Sequence, residues 1–205
     1  MKYKRQSYVF SDLIGNNIYS HKTLFLLHIL CFVAGVILGF VFEQNLNSAF
    51  FVYDYSNHYY NIIFNIDISI ISIFFDRVLI NLQLFFLVFF LSLHFTGTPL
   101  HFVFTLYRSY ILTATSIIII SMYGVLGVVN TILLIIPQQL ITMFFLINFS
   151  LYGITAAFDF RRYRGYLNFK AFVAKSISYY LISLVSILLD IILIFVIIRP
   201  FNLFV

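Results

Sequence analysis

The chain has 205 residues, of which 62% are apolar, 20% aromatic and only 9% charged, with a mean hydropathy of +1.03 and a formal net charge of +5. A soluble domain carries roughly a quarter charged residues, so the composition excludes one and specifies an all-α integral membrane protein, a polytopic chain with length for about five spans of ~20 residues. It leaves no room for a separate soluble domain, and the single cysteine, Cys31, excludes an intrachain disulfide.

The first span is expected at about 23–42, "TLFLLHILCFVAGVILGFVF". Its apolar stretch is longer than the core of a signal peptide and no small-residue cleavage site follows, so it is read as retained. Gly35 and Gly39 form a small-xxx-small pair. Such a pair lets a second helix approach closely, whether of this chain, of a second copy or of another subunit. The connection that follows holds "YDYSNHYY", a tyrosine cluster suited to the headgroup level. Beyond it Asn65, Ser69, Ser72 and Asp76 recur at helical spacing, with Ile66, Ile70, Ile73 and Phe74 on the other side. This pattern predicts an amphipathic segment over about 62–77, lying in the outer interface or leading into the second span at an angle.

The second span is expected at about 78–95 and carries Asn81 and Gln83. A tight turn, "TGTPL", contains Gly97 and Pro99. The third span is expected at about 106–126, with Arg108 at its start. The fourth, at about 131–158, contains "LLIIPQQLIT" and is broken at its Pro-Gln-Gln motif. Pro137 donates no backbone hydrogen bond and frees the carbonyl four residues back. The stretch 124–136 therefore reads as a half-helix descending from the outer face and ending or kinking at Pro137. Gln138 and Gln139 each supply two donors and an acceptor. They can repair the freed backbone groups and bridge to Asn81 or Gln83; the alternative is that they line a polar cavity, as at helix breaks in transporters. The fifth span is expected at about 176–198 and holds Asp190 in its outer part. A carboxylate there faces a polar partner or a proton site, or else snorkels outward or is protonated. Asn81, Gln83 and Asn130 offer it amide partners.

The basic residues orient the chain. Lys2, Lys4, Arg5 and Lys22 precede the first span, Arg108 opens the third, and "DFRRYRGYLNFKAFVAK" adds Arg161, Arg162, Arg164, Lys170 and Lys175. With the N-terminus inside, all of these are cytoplasmic, and only Arg77 and Arg199 fall elsewhere. The basic surface is read as topology plus contact with anionic membrane lipids rather than nucleic-acid binding.

Catalytic patterns are not indicated. No phosphate-cradling glycine loop occurs, so the chain does not hydrolyse ATP by itself. His21, His28, His58, His94 and His101 are scattered without metalloprotease spacing, although His94 and His101 flank the 97–99 turn and can approach each other. "NFS" at 148–150 lies inside a span, so its match to a glycosylation sequon is a chance one. The expectation is a non-enzymatic protein with no cofactor and no metal.

The order of these features resembles the stage II sporulation protein M family. The resemblance runs from "FVAGVILG" to the end of the fourth span and rests on Gly35 and Gly39, Asn81, the turn with Gly97 and Pro99, Arg108, and the Pro-Gln pair Pro137 and Gln138. The chain departs from the family where glycines often follow the basic residue, having Ser109 and Thr113 instead. It also has Gln139 where the motif usually has asparagine. The resemblance implies a non-enzymatic component of the bacterial cytoplasmic membrane. Sporulation members anchor peptidoglycan-degrading enzymes at the septal membrane. Other relatives accompany ATP-binding-cassette transport genes, including those for bacteriocin maturation, export and immunity, which implies a separate ATPase as partner.

Overall fold

The computed structural model of the chain describes residues 21–45, 69–162 and 169–193. The described residues are helical and contain no strand. Five helices among them are long and apolar enough to cross a membrane. They are α1 (Lys22–Asn45), α2 (Ile70–Leu91), α3 (Thr98–Asn130), α4 (Ile136–Arg162) and α5 (Phe169–Ile192). The tyrosine cluster, the 62–68 part of the amphipathic segment and the C-terminal part of the fifth span lie outside the described residues.

Helix boundaries depart from the hydropathy reading in a consistent direction. α2 starts at Ile70, where Ser69 caps it by accepting from the Ser72 N–H at 3.2 Å. Residues 70–77 are thus the first two turns of the second span. α3 starts at Thr98 rather than near 106, and α5 at Phe169 rather than 176. Each early turn carries polar or basic residues, which lower a hydropathy average but not the tendency to continue a helix.

The turn between α2 and α3 is built by Gly97 and Pro99. A side chain at 97 would strike the Leu91 carbonyl oxygen, so only glycine lets the chain fold back this tightly. Pro99 sits in the first turn of α3, where a missing N–H costs no helical bond.

The break between the third and fourth spans falls inside α3, at Gly124, with φ 57° and ψ −126°, a conformation that L side chains rarely adopt; the third span ends at Val125 and the fourth begins at Gly127. Gly127 then lets the next turn cross over Ile119 and Ile120; a Cβ there would meet the Ile119 carbonyl. The irregularity expected at Pro137 is present, but as a π-helical turn over Thr131–Ile135 rather than as a helix end. Widening the helix immediately before the proline accommodates its missing N–H, and α4 continues to Arg162. Of the two alternatives for 124–136, a half-helix ending or kinking at Pro137, the helix end is the one not seen.

α1 packs along α3 in the most extensive helix pair. The glycine pair makes this contact. A Cβ at Gly35 would meet the Ser109 hydroxyl and the Leu106 carbonyl, and one at Gly39 would lie 2.7 Å from Thr113 Cβ and 2.9 Å from the Tyr110 carbonyl. Gly35 and Gly39 thus serve contacts within the chain, and Ser109 and Thr113 are small enough to receive them. Against α2, α4 and α5 the packing is aromatic: Phe85 stacks on Phe149 at 5.3 Å, and Phe89 on Phe172 at 5.3 Å. Elsewhere large apolar side chains such as Leu30, Ile71, Phe75 and Leu181 face outward. Lipid tails are as apolar as leucine, so this outward placement costs little in a bilayer.

Candidate functional site

The polar residues face inward, and several meet at mid-span. Arg77 and Asn81 of α2, Arg108 of α3, Gln138, Gln139 and Thr142 of α4, and Ile187 of α5 line a small cavity of about 20 Å³. Arg77 is 5% exposed, Asn81 4% and Gln138 8%, so these groups are withdrawn from lipid and must find partners within the bundle.

Local helix geometry puts them there. Arg108 is ten residues into α3, about 15 Å along the axis. It therefore lies inside the bundle and not at its end. Its guanidinium Nη2 donates to Gln139 Oε1 at 2.9 Å. Gln139 reaches it because the π-helical turn and Pro137 set the start of α4. Gln139 thus bonds α3 rather than the anticipated Asn81 or Gln83 of α2. Asn81 Nδ2 donates instead to Ser183 Oγ of α5 at 3.1 Å, and Gln83 is on the exposed face of α2. Beside this pair Thr142 and Ser186 share a hydrogen bond of 3.0 Å between α4 and α5. The side chains of Asn130 and Asp190 lie outside the described residues.

The site is rich in donors. An arginine carries five N–H donors and no acceptor. Gln139 Oε1 meets one of these donors, and Asn81 Oδ1 is buried without a partner among the described atoms. The cavity has room for about one water, which needs roughly 10–15 Å³ and two or more polar neighbours. The arrangement can hold fixed charge and tie four helices together. It offers no nucleophile paired with a base.

A second polar group lies nearer the α2–α3 turn. His28 Nδ1 is 2.8 Å from Thr105 Oγ1, joining α1 to α3. His101 Nδ1 is 3.2 Å from Ser150 Oγ, and its Nε2 is 3.5 Å from Ser92 Oγ. Ser92 donates its proton to the Val88 carbonyl at 2.7 Å. With its proton donated to backbone, the Ser92 oxygen faces His101 Nε2 as an acceptor. His94 is exposed and bonds Thr96 at 2.7 Å, so the two histidines flanking the turn occupy different surroundings. Among the described residues no group of three or more His, Cys, Asp or Glu is arranged to hold a metal.

Several of these partners were not singled out in the sequence. Ser176, Ser183 and Ser186 are buried on one stripe of α5, and Gly153 of α4 packs where a Cβ would strike Ser92 Oγ. Their spacing at i, i+7 and i+10 was a readable signal for the serines. The contrast between two neighbouring amides is testable. Asn81→Leu removes the bond to Ser183 and is expected to lower thermal stability in detergent by about 0.6–1.7 kcal/mol, the range for hydrogen bonds between membrane helices. Gln83→Leu, on the lipid face, is expected to leave it unchanged or raise it. Equal losses from both would contradict the placement. No family model, no curated protein and no solved structure matches the chain.

Proposed function

We propose that the chain is a non-catalytic, multi-pass subunit of a larger complex in a bacterial cytoplasmic membrane, where it anchors or positions a partner protein of the cell envelope. The observation that carries this reading is the meeting of dispersed motif residues in one interlocked frame. Arg108 bonds Gln139, Asn81 and Gln138 line the same cavity, and the glycine pair seats α1 on α3 one turn from Arg108. A cavity the size of one water supports a rigid frame better than a solute passage. The same residues carry the resemblance to the stage II sporulation protein M family, whose sporulation members anchor cell-wall hydrolases.

A second reading has its own support. Two arginines beside a π-helical turn at mid-span are features that transporters place at substrate sites. On this reading the chain assists a separate ATP-binding-cassette ATPase in export of, or immunity to, an antimicrobial peptide. Crosslinking in native membranes followed by purification in mild detergent separates the two. A stoichiometric cell-wall hydrolase supports anchoring, and a stoichiometric ATPase supports transport. A chain recovered only with itself would overturn both.

We place the N-terminus inside and the C-terminus outside. With Arg108 withdrawn into the bundle, the bias rests on Lys2, Lys4, Arg5 and Lys22 and on the basic α4–α5 connection. A cysteine introduced at Ser56 is expected to react with an impermeant thiol reagent in intact cells, and one at Tyr166 only after permeabilisation. The reverse pattern would invert the orientation.

A further inference from the structure

A second cavity lies on the bundle's flank. It is a groove of about 270 Å³ between α2 and α5, lined by Phe85, Phe86, Phe89, Ile177 and Tyr180 and floored by Phe149. Its lining surface is entirely apolar. Ser176 also borders it, but the Ser176 hydroxyl donates to the Phe172 carbonyl at 2.9 Å and makes no demand on an occupant. An apolar cavity of roughly 150 Å³ suffices to take up benzene, so this groove has room for a longer hydrocarbon segment. We propose that it is a binding site for one anionic phospholipid of the leaflet at the α4–α5 connection, with an acyl chain in the groove and the phosphate at Lys170.

Three observations fix the occupant. The first is depth. On α5 the groove runs from Val173 to Tyr180, seven residues or about 10 Å along the helix axis, well short of a ~30 Å hydrocarbon core. Tyr180 closes the far end, where its hydroxyl donates to the Val78 carbonyl of α2 at 3.5 Å. A groove much shorter than a membrane span matches part of an acyl chain and not a crossing helix.

The second observation is charge. Lys170 is exposed and lies on the same stripe of α5 as the groove residues Val173 and Ile177, three and seven positions on. It lies in the first turn of α5, one turn before the groove, and a cation beside an apolar groove attracts an anionic lipid. The third is the lining itself. Phenylalanine rings from α2 and α4 form fixed walls, held by the Phe85–Phe149 stack at 5.3 Å and the Phe85–Tyr180 edge contact at 5.6 Å. A pre-formed wall binds a flexible chain at a lower ordering cost.

The test uses the full chain purified in detergent, delipidated, and titrated with dioleoyl phosphatidylglycerol or dioleoyl phosphatidylcholine. Native mass spectrometry and thermal unfolding are the readouts. One phosphatidylglycerol per chain is expected to be retained. A preference of about fivefold over phosphatidylcholine is expected, the worth of one lysine near an anionic headgroup. Lys170→Gln is expected to abolish that preference while leaving the midpoint in detergent alone unchanged. Ile177→Trp fills the groove from a position that is 52% exposed, where folding is not at stake, and is expected to weaken retention by about tenfold or more. Glycerol phosphate, which has no acyl chain, is expected to give no stabilisation. Retention unaffected by Ile177→Trp would show lipid bound elsewhere and overturn the site. So would equal stabilisation by glycerol phosphate. Equal affinity for the two lipids in the unsubstituted chain would overturn the anionic assignment.

Discussion

Gly35→Leu is expected to separate α1 from α3 and to cause the largest loss of stability of any single lipid-compatible substitution in the first span. The obstacle is backbone. A Cβ at 35 meets the Leu106 carbonyl as well as the Ser109 hydroxyl, and the carbonyl cannot rotate away. Overpacking a tight contact costs roughly 1–3 kcal/mol and sometimes more. In a bilayer no hydrophobic force returns α1 to its place, because association rests on close packing and hydrogen bonds. Gly39→Leu is expected to cost less, since part of what it meets is the Thr113 side chain. Val33→Leu, at a position 47% exposed to lipid, is the neutral control. The thermal midpoint in detergent decides the matter. A Gly35→Leu protein as stable as the control would mean that α1 does not sit on α3 in this register.

The second large effect is expected at Arg108 and Gln139. A hydrogen bond to a charged group contributes about 1.5–3 kcal/mol, and losing one partner leaves the other's desolvation uncompensated. Gln139→Leu and Arg108→Leu are each expected to destabilise the bundle by about 1–3 kcal/mol. The double leucine protein is expected to lose less than the sum, with a coupling of at least about 0.5 kcal/mol. Arg108→Lys is not expected to rescue, because an ammonium lacks the planar fork and is more strongly hydrated. Strict additivity would show that the Arg108–Gln139 contact contributes nothing. Purification of these variants with their native partner then tests function separately: a stable double variant that still captures its partner would make the pair structural only.

The elements differ in how far they were legible. The Gly35–Gly39 pair, the turn with Gly97 and Pro99, and an irregularity near Pro137 were visible because each depends on a local property: absence of a Cβ, a fixed φ, or a missing donor. Arg108 was misplaced for an equally physical reason. A lone arginine near the start of an apolar run looks like a headgroup residue until a partner is found for it, and its partner, Gln139, is on another helix. The sharp break between the third and fourth spans was assigned to no residue, although Gly124 carries it. A glycine whose neighbours are Tyr123 and Val125 gives no turn pattern, and only the observed positive φ identifies its role.

Composition and segment length by themselves determined the all-helical class, the set of five apolar segments and their approximate positions, because a continuous apolar run of ~20 residues in hydrocarbon satisfies its backbone within itself as a helix, whereas barrel strands are shorter and alternate. Only the tertiary structure decided which face of each helix is interior. Lipid and protein core are equally apolar, so leucine and phenylalanine carry no inward or outward preference. That information resides in the polar residues, and each acquires a direction only from a partner far away in sequence. Asn81 turns inward to Ser183 and Arg108 to Gln139, while Gln83, two positions from Asn81, faces out.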